Sequence, residues 1–281
     1  MRVLAEFIMR GRMQAGLVVF FGNLVPFVSP AAVSLTTLTK GFSESVLLLS
    51  LALMPLLIAL YVSDDANAIL TLLSITSVLC VWSASRFMKL RSSWSEVLIF
   101  VVIFSAVATI LISVLFNEKL LALEGLIEEF FKEALQDENK PIVSTSFLLG
   151  VSGYVIALTS VIALVLGRWW QSMLYNPGGF KLEFHQLRFS VTTSIIILIG
   201  ILLSEVVLHD YSSWSSLLSL PLMLSGIALL HYSVAFFQLS SNWLFVFYLA
   251  LLFLSPMSIM LVGMGVLDSI FNIRSRLSMH S

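Results

Sequence analysis

Ile195–Leu203 reads IIILIGILL, apolar on every face. A half-buried strand alternates apolar and polar residues, and a surface helix carries one apolar stripe. This stretch has neither pattern. Extended to Val191–Leu208, it approaches the roughly 20 residues that a helix needs to cross a hydrocarbon core of about 30 Å. Similar runs occupy Ala15–Val28, Ala31–Thr39, Ser43–Val62, Ala66–Ser85, Glu96–Phe116, Thr145–Leu166, Trp214–Phe237 and Trp243–Leu267. At least seven of these stretches read as crossings. In lipid every backbone N–H and C=O must be paired internally, which leaves helices or a closed barrel. The lack of period-two alternation selects helices. The expected fold is an all-α polytopic transmembrane helical bundle of about 8–10 membrane segments, a single integral membrane domain over residues 1–281.

Composition agrees. Hydrophobic residues make up 59% of the chain and charged residues 11%, against about 25% charged in soluble domains. The formal net charge of −1 argues against a nucleic-acid partner, which calls for a basic patch. Cys80 is the sole cysteine, so an internal disulfide is excluded. It sits in an apolar run and reads as small buried filler. Arg2, Arg10 and Arg12 precede the first apolar run as in a secretory signal, but no small-x-small cleavage site follows, so the segment reads as retained.

Charge placement sets the topology. Lys and Arg concentrate in cytoplasmic connections. Three clusters are basic: Arg2/Arg10/Arg12, Arg86/Lys89/Arg91 and Arg168/Lys181/Arg188. Between them lie Asp64/Asp65, the acidic stretch Glu118–Glu138, and His209/Asp210. Pro26 and Pro30 interrupt the first apolar run, and proline both lacks an N–H and disfavours helix in the residue before it. The run is either one kinked helix or a hairpin of two short segments. Only the hairpin puts all three basic clusters, with Lys40, on the side of the N-terminus, so a cytoplasmic N-terminus and an inner (plasma) membrane location are expected. Pro256 poses the same choice for the last run. A second hairpin would bring Arg274 and Arg276 to the cytoplasmic side; a single crossing would leave them outside.

In Glu118–Glu138, Leu120, Leu123, Ile127, Phe130 and Ala134 recur at three- and four-residue steps while Glu124, Glu128, Glu129 and Glu133 take other faces. This spacing predicts an extracytoplasmic amphipathic helix within residues 117–142 that lies across the outer ends of the bundle. Basic faces favour anionic lipid; this one is acidic.

The most distinctive connection is residues 167–190, GRWWQSMLYNPGGFKLEFHQLRFS. Arg168, Trp169 and Trp170 suit an interfacial anchor, since tryptophan prefers headgroup depth and arginine snorkels. Asn176-Pro177-Gly178-Gly179 is a turn signal. Phe180 and Phe184 then fall at helical spacing, with Arg188 on another face. The segment reads either as a tight inter-helix connection or as a cytoplasmic loop with a short helix that lies on the membrane surface or docks its aromatics in a partner's groove. Asn23, beside the Pro26/Pro30 break, is a candidate cavity residue, because broken membrane helices expose backbone groups where substrates bind. Lys40 and Glu44, one turn apart around Gly41, are either part of such a ligand cavity or a structural ion pair at the membrane edge. Glu205 and His209 share a face at i, i+4 near Asp210, too few ligands to define a metal site, and His231 within a span reads as a buried, hydrogen-bonded histidine. No metal or cofactor is expected. The chain carries no G-x-x-x-x-G-K-[ST], H-E-x-x-H or G-x-S-x-G pattern, so phosphate-loop ATP hydrolysis and the corresponding hydrolase chemistries find no residues here. No catalytic set stands out, and the chain reads as a non-enzyme.

RWWQSMLYNPGGF (168–180) followed by FHQLR (184–188) resembles the cytoplasmic loop of proteobacterial members of the YybS-like family, multi-pass membrane proteins of unknown function often encoded near ribosomal-protein genes. GVLDSIFNIRSRL (265–277) is similar to the ending of that family. SLTTLTKGFSES (34–45) is similar to the second-helix region of the substrate-binding membrane subunits of energy-coupling-factor vitamin transporters. Those are small helical bundles that capture a vitamin or metal from outside and dock to a coupling protein with ATPases; this chain departs from them in having more spans and the long 167–190 connection. The resemblance implies a substrate-binding or transport-related subunit without its own ATPase, dependent on other membrane subunits. The alternative is a non-catalytic scaffold or envelope assembly factor that recruits a cytoplasmic or membrane partner through 167–190. A cavity separates the two: transport requires one, a scaffold does not.

Overall fold

The computed structural model describes residues 1–135, 144–208, 211–254 and 256–279. Among them there is no strand. Helices α1 (Arg2–Arg10), α2 (Arg12–Phe21), α3 (Val28–Thr39), α4 (Phe42–Val62), α5 (Asp65–Arg91), α6 (Trp94–Leu115) and α7 (Asn117–Leu135) form the first half. The second half holds α8 (Thr145–Tyr175), α9 (Gly179–His185), α10 (Val191–Leu202), α11 (Ser212–Phe236), α12 (Asn242–Phe253), α13 (Pro256–Phe271) and α14 (Ile273–Met279). A π turn, Leu203–Val207, extends α10.

Five of these helices, α4, α5, α6, α8 and α11, are long and apolar enough to cross a membrane; the shorter apolar helix Val191–Val207, about 25 Å long, joins the two ends of the bundle and is counted with them as a sixth crossing. Their outward faces keep large side chains such as Ile58, Ile103, Leu111 and Ile196 uncovered. Water would penalise so large an apolar surface, whereas hydrocarbon accepts it. The protein is a multi-pass membrane protein. Side-chain caps start the crossings: Asp64 accepts from Asn67 N, Ser144 from Phe147 N and Ser190 from Thr193 N, each satisfying a donor that the helix leaves unpaired.

Fewer helices than the seven stretches read from the sequence are long enough to cross, while the breaks expected at Pro26/Pro30 and Pro256 are present. The first and last runs are pairs of half-length helices. Helices α2 and α3, of 10 and 12 residues, each rise only about 15–18 Å. Both outer ends are tied to one end of the bundle: Arg12 Nε meets Glu44 Oε1 at 2.8 Å, and Lys89 Nζ donates to Lys40 O at 2.7 Å. The tip stops partway along the bundle, where Asn23 Nδ2 donates to Ala52 O at 3.0 Å, about 15 Å along α4 from its start, while Leu24 and Val25 stay exposed. Proline explains the break. Pro30 lies in the first turn of α3, where a missing N–H costs nothing, and Phe27 takes the left-handed conformation at φ 66° to reverse the chain. The run Ala31–Leu38 of α3 is wholly buried. Its hydroxyls are satisfied locally: Thr36 and Thr37 donate to Ala32 O and Val33 O at 2.9 and 2.7 Å.

The last run repeats the device. Helices α12 and α13 bend by 119° about Pro256. Helix α13 then runs beside α11 in the same direction: Ile259 and Val262 share a cavity with Ser215 and Ser219, and Arg274 reaches Leu187 O and Ser225 O. The two helices touch backbone to backbone. A Cβ on Gly226 would stand 2.1 Å from Leu261 O, and one on Gly265 would stand 2.3 Å from Leu222 O.

Six crossings and two hairpins put both chain ends at one end of the bundle. Every Lys and Arg outside residues 117–143 belongs to that basic end. Asp64 and α7 belong to the opposite, acidic end. Leu120 of α7 is buried, and Leu123 and Ile127 pack on the main core, so the apolar stripe does cap the bundle. Phe130, expected on that stripe, is 68% exposed. The rest of the predicted helix, 136–142, lies outside the described residues, as do His209 and Asp210. Two cores result. One joins α5, α6, α8 and α11; the other joins α1 to α4 around Trp170. Cys80 is buried in the first.

Candidate functional site

The broken tip of the first hairpin borders a cavity of about 390 Å³. Gly22, Asn23, Pro26 and Phe27 form one wall, Leu73, Ser74 and Ser77 of α5 a second, and Val155 and Thr159 of α8 a third. Asn23 holds the tip in place. Its Nδ2 donates to Val19 O, Phe20 O and Ala52 O at 3.0–3.2 Å, so the side chain closes the end of α2 and ties it to α4. Ser29 Oγ adds a bond of 2.6 Å to Val19 O. The hydroxyls of the wall are already engaged. Ser77 and Thr159 are 3.0 Å apart, Ser77 donates to Leu73 O and Ser74 to Leu70 O. The cavity therefore presents mostly hydrocarbon with a narrow hydroxyl seam. Pockets of a few hundred Å³ with few polar groups suit small apolar or amphiphilic ligands.

Of the expected cavity residues, Asn23 is at the cavity and Lys40 and Glu44 are not. Glu44 sits eight residues before Ala52 on α4, about 12 Å away along the helix. It pairs with Lys40 at 3.3 Å and Arg12 at 2.8 Å, which is the structural alternative. Proximity to the basic end explains this: the long cationic side chains reach outward to water. Ser74, Ser77 and Thr159 were not anticipated. A signal existed, since Asn67, Thr71, Ser74 and Ser77 recur at three- and four-residue steps along one side of α5.

The 167–190 segment is built differently from a free loop. Helix α8 continues to Tyr175, so Arg168, Trp169 and Trp170 lie on its final turns, where its 31 residues, about 46 Å, outrun the bilayer core. Trp170 is 0% exposed and faces the second core; its burial corrects the expectation that it meets a partner. Trp169 remains partly exposed. The turn is as expected, with Gly178 at φ 86°, a conformation glycine adopts without strain. Ser172 Oγ donates to Asn176 O at 2.7 Å and accepts from Phe180 N at 2.9 Å, folding α9 back on α8. The preceding residues, Asn176 and Pro177, stay exposed, and Gly179 N donates to Asn176 O at 2.9 Å.

Phe180 and Phe184 turn toward the bundle. They stack on each other with centroids 5.7 Å apart, and Phe180 meets Trp94 while Phe184 meets His231. Arg168 forms a two-toothed pair with Glu183, whose Oε2 also accepts from Trp94 Nε1 at 3.4 Å. Arg188 reaches Ser269 O at 3.5 Å. Helical spacing identified one face of α9 correctly, but that face is covered by the chain's own helices. What remains exposed for a partner includes Trp169, Tyr175, Asn176, Pro177, Gly178, Lys181, Leu182 and Gln186.

The second hairpin is bolted to this segment. Arg274 donates to His185 O and, at 2.8 Å, to Leu187 O, and its Nε lies 3.2 Å from Asp268 Oδ2. Asp268 is fully buried. The ion-pair contact has the wrong angle for a hydrogen bond, so the attraction is coulombic. The imidazole of His185 is held below its usual pKa by burial first, then by the positive charges of Lys181, His231 and Arg274. Among the described residues no group of three or more His, Cys, Asp or Glu is placed to hold a metal ion. Comparison with protein-family models, curated proteins and solved structures finds no match to this chain.

Proposed function

We propose that this chain is a ligand-binding, transport-related membrane subunit that holds a small, mainly apolar compound in the cavity beneath the α2–α3 tip. The observation that carries the reading is the position of that tip. A half-length helix pair entering from one end stops partway along the bundle, with Leu24 and Val25 exposed at its tip, and its inner side walls a cavity instead of packing shut. Discontinuous helices of this kind border the binding sites of many transporters. The basic end faces the cytoplasm under the positive-inside rule, with the inner (plasma) membrane as the location. The chain offers no phosphate loop, so movement of a ligand across the bilayer would depend on ATP-hydrolysing partners. We assign no catalytic step to it. Membership in the YybS-like family is part of the same proposal and rests on the 168–188 and 265–277 motifs.

A scaffold role through 167–190 has weaker support. Phe180, Phe184, Arg168 and Arg188 are spent inside the protein, leaving the turn with Trp169, Tyr175 and Leu182 as the exposed surface.

The test is a comparison of bound small molecules. Wild-type protein, purified in detergent, is extracted with organic solvent and the extract analysed by mass spectrometry beside Ser77→Phe and Thr159→Phe, which fill the cavity. The proposal expects a compound present near one per protein in the wild type and depleted in both variants. Identical extracts from all three proteins would overturn it.

A further inference from the structure

A second cavity lies away from the first, near the acidic end. It encloses about 430 Å³ and is lined by Glu205, Ser215, Ser216, Ser219, Ser258 and the apolar Ile259 among others. Glu205 stands on the π turn that ends α10, and its Oε1 accepts from Ser215 Oγ. Among the described residues neither Lys, Arg nor His lines this space. A carboxylate faced by hydroxyls attracts a positive ligand, because a charge near hydrocarbon is costly without a counter-charge.

The lining narrows the class. A bare metal ion needs oxygens closing to about 2.3–2.6 Å around it, and this cavity is far too wide. A quaternary ammonium is held by aromatic faces, and among the described residues no aromatic side chain lines the wall. A primary ammonium has three N–H donors, which match one carboxylate and serine hydroxyls. We propose that this cavity binds a primary ammonium group, with Glu205 as its counter-ion and Ser216 and Ser219 as further acceptors. Ser215 is one turn into α11, and Val206, Ile259 and Met260 beside the cavity are exposed and apolar. That surrounding is the boundary between headgroups and acyl chains, so the source is an aminophospholipid headgroup or a soluble amine. The site is separate from the cavity of the proposed function.

Wild-type, Glu205→Gln and Ser216→Val proteins are reconstituted in nanodiscs of phosphatidylglycerol containing a minority of phosphatidylethanolamine. Native mass spectrometry then counts the lipids that remain on each released protein. Expected is selective retention of phosphatidylethanolamine by the wild type, reduced about tenfold or more by Glu205→Gln through loss of a charge-assisted contact. Ser216→Val, at an exposed position, should also lower it and serves if Glu205→Gln fails to fold. In pure phosphatidylglycerol nanodiscs, calorimetry with ethanolamine tests the soluble source. Binding there that Glu205→Gln abolishes supports the ammonium site and assigns it to a free amine. Equal lipid retention by all proteins together with no ethanolamine binding overturns the proposal. Survival of the first cavity's compound in Glu205→Gln would separate this site from the other.

Discussion

Asp268 and Arg274 show how much a few buried polar atoms can decide in a lipid-facing protein. Both side chains are withdrawn from water, and Arg274 also satisfies three backbone carbonyls from two other segments. Such a pair is weak support for stability as a unit, since desolvation offsets its attraction. Removing one partner is another matter. Arg274→Met leaves a buried carboxylate and deprives His185 O, Leu187 O and Ser225 O of a donor, and should cost about 3–5 kcal/mol. The double variant Asp268→Leu/Arg274→Met should recover part of that loss. Thermal unfolding midpoints of the single and double variants in one detergent check this; a double variant as unstable as the sum of the singles would show the charges to be uncoupled. The Lys40–Glu44 pair, by contrast, stays in contact with water at the bundle end, its side chains 18% and 25% exposed, and is nearer the surface class worth about 0.2–1 kcal/mol. One turn of separation made that pair legible in the sequence. The Arg168–Glu183 and Arg274–Leu187 contacts were not, because they join residues brought together only by packing.

At the scale of elements, the recurring motif is the half-length helix pair. Its position was legible because proline punctuates an otherwise continuous apolar run, and because charge parity demanded an even return. Its interior was less so. The burial of all of Ala31–Leu38 follows from being surrounded by α2, α4, α5 and α8, and a uniformly apolar helix carries no stripe that announces its neighbours. The same limit misled the reading of α9, whose Phe180/Phe184 face is apolar whether it meets a partner or its own bundle. The α11–α13 contact makes a sharper demand. No G-x-x-x-G repeat marks it, yet Gly226 and Gly265 each admit the other helix's backbone. Gly226→Ala should force the helices apart and destabilise the fold by about 1–3 kcal/mol, read as a lowered thermal midpoint. An unchanged midpoint would mean that the crossing is looser than described.

For the whole molecule, the central claim is that six crossings and two re-entrant hairpins gather both chain ends, the 167–190 turn and the basic residues at one face. The lipid solvent, the all-helical fold and the broken first run all follow from where apolar residues, prolines and charges fall. The cavity walls needed three separate helices to be placed before they could be seen. The claim makes the C-terminus decisive, since a single crossing by residues 243–267 would put it opposite the turn. The direct measurement is thiol accessibility in intact cells and in inverted membrane vesicles, on a Cys80→Ser background with a single cysteine at Asn176, Arg276 or Ser63. Asn176→Cys and Arg276→Cys are predicted to react with a membrane-impermeant maleimide in inverted vesicles, and Ser63→Cys in intact cells. Labelling of Arg276→Cys from the side opposite Asn176→Cys would contradict the account.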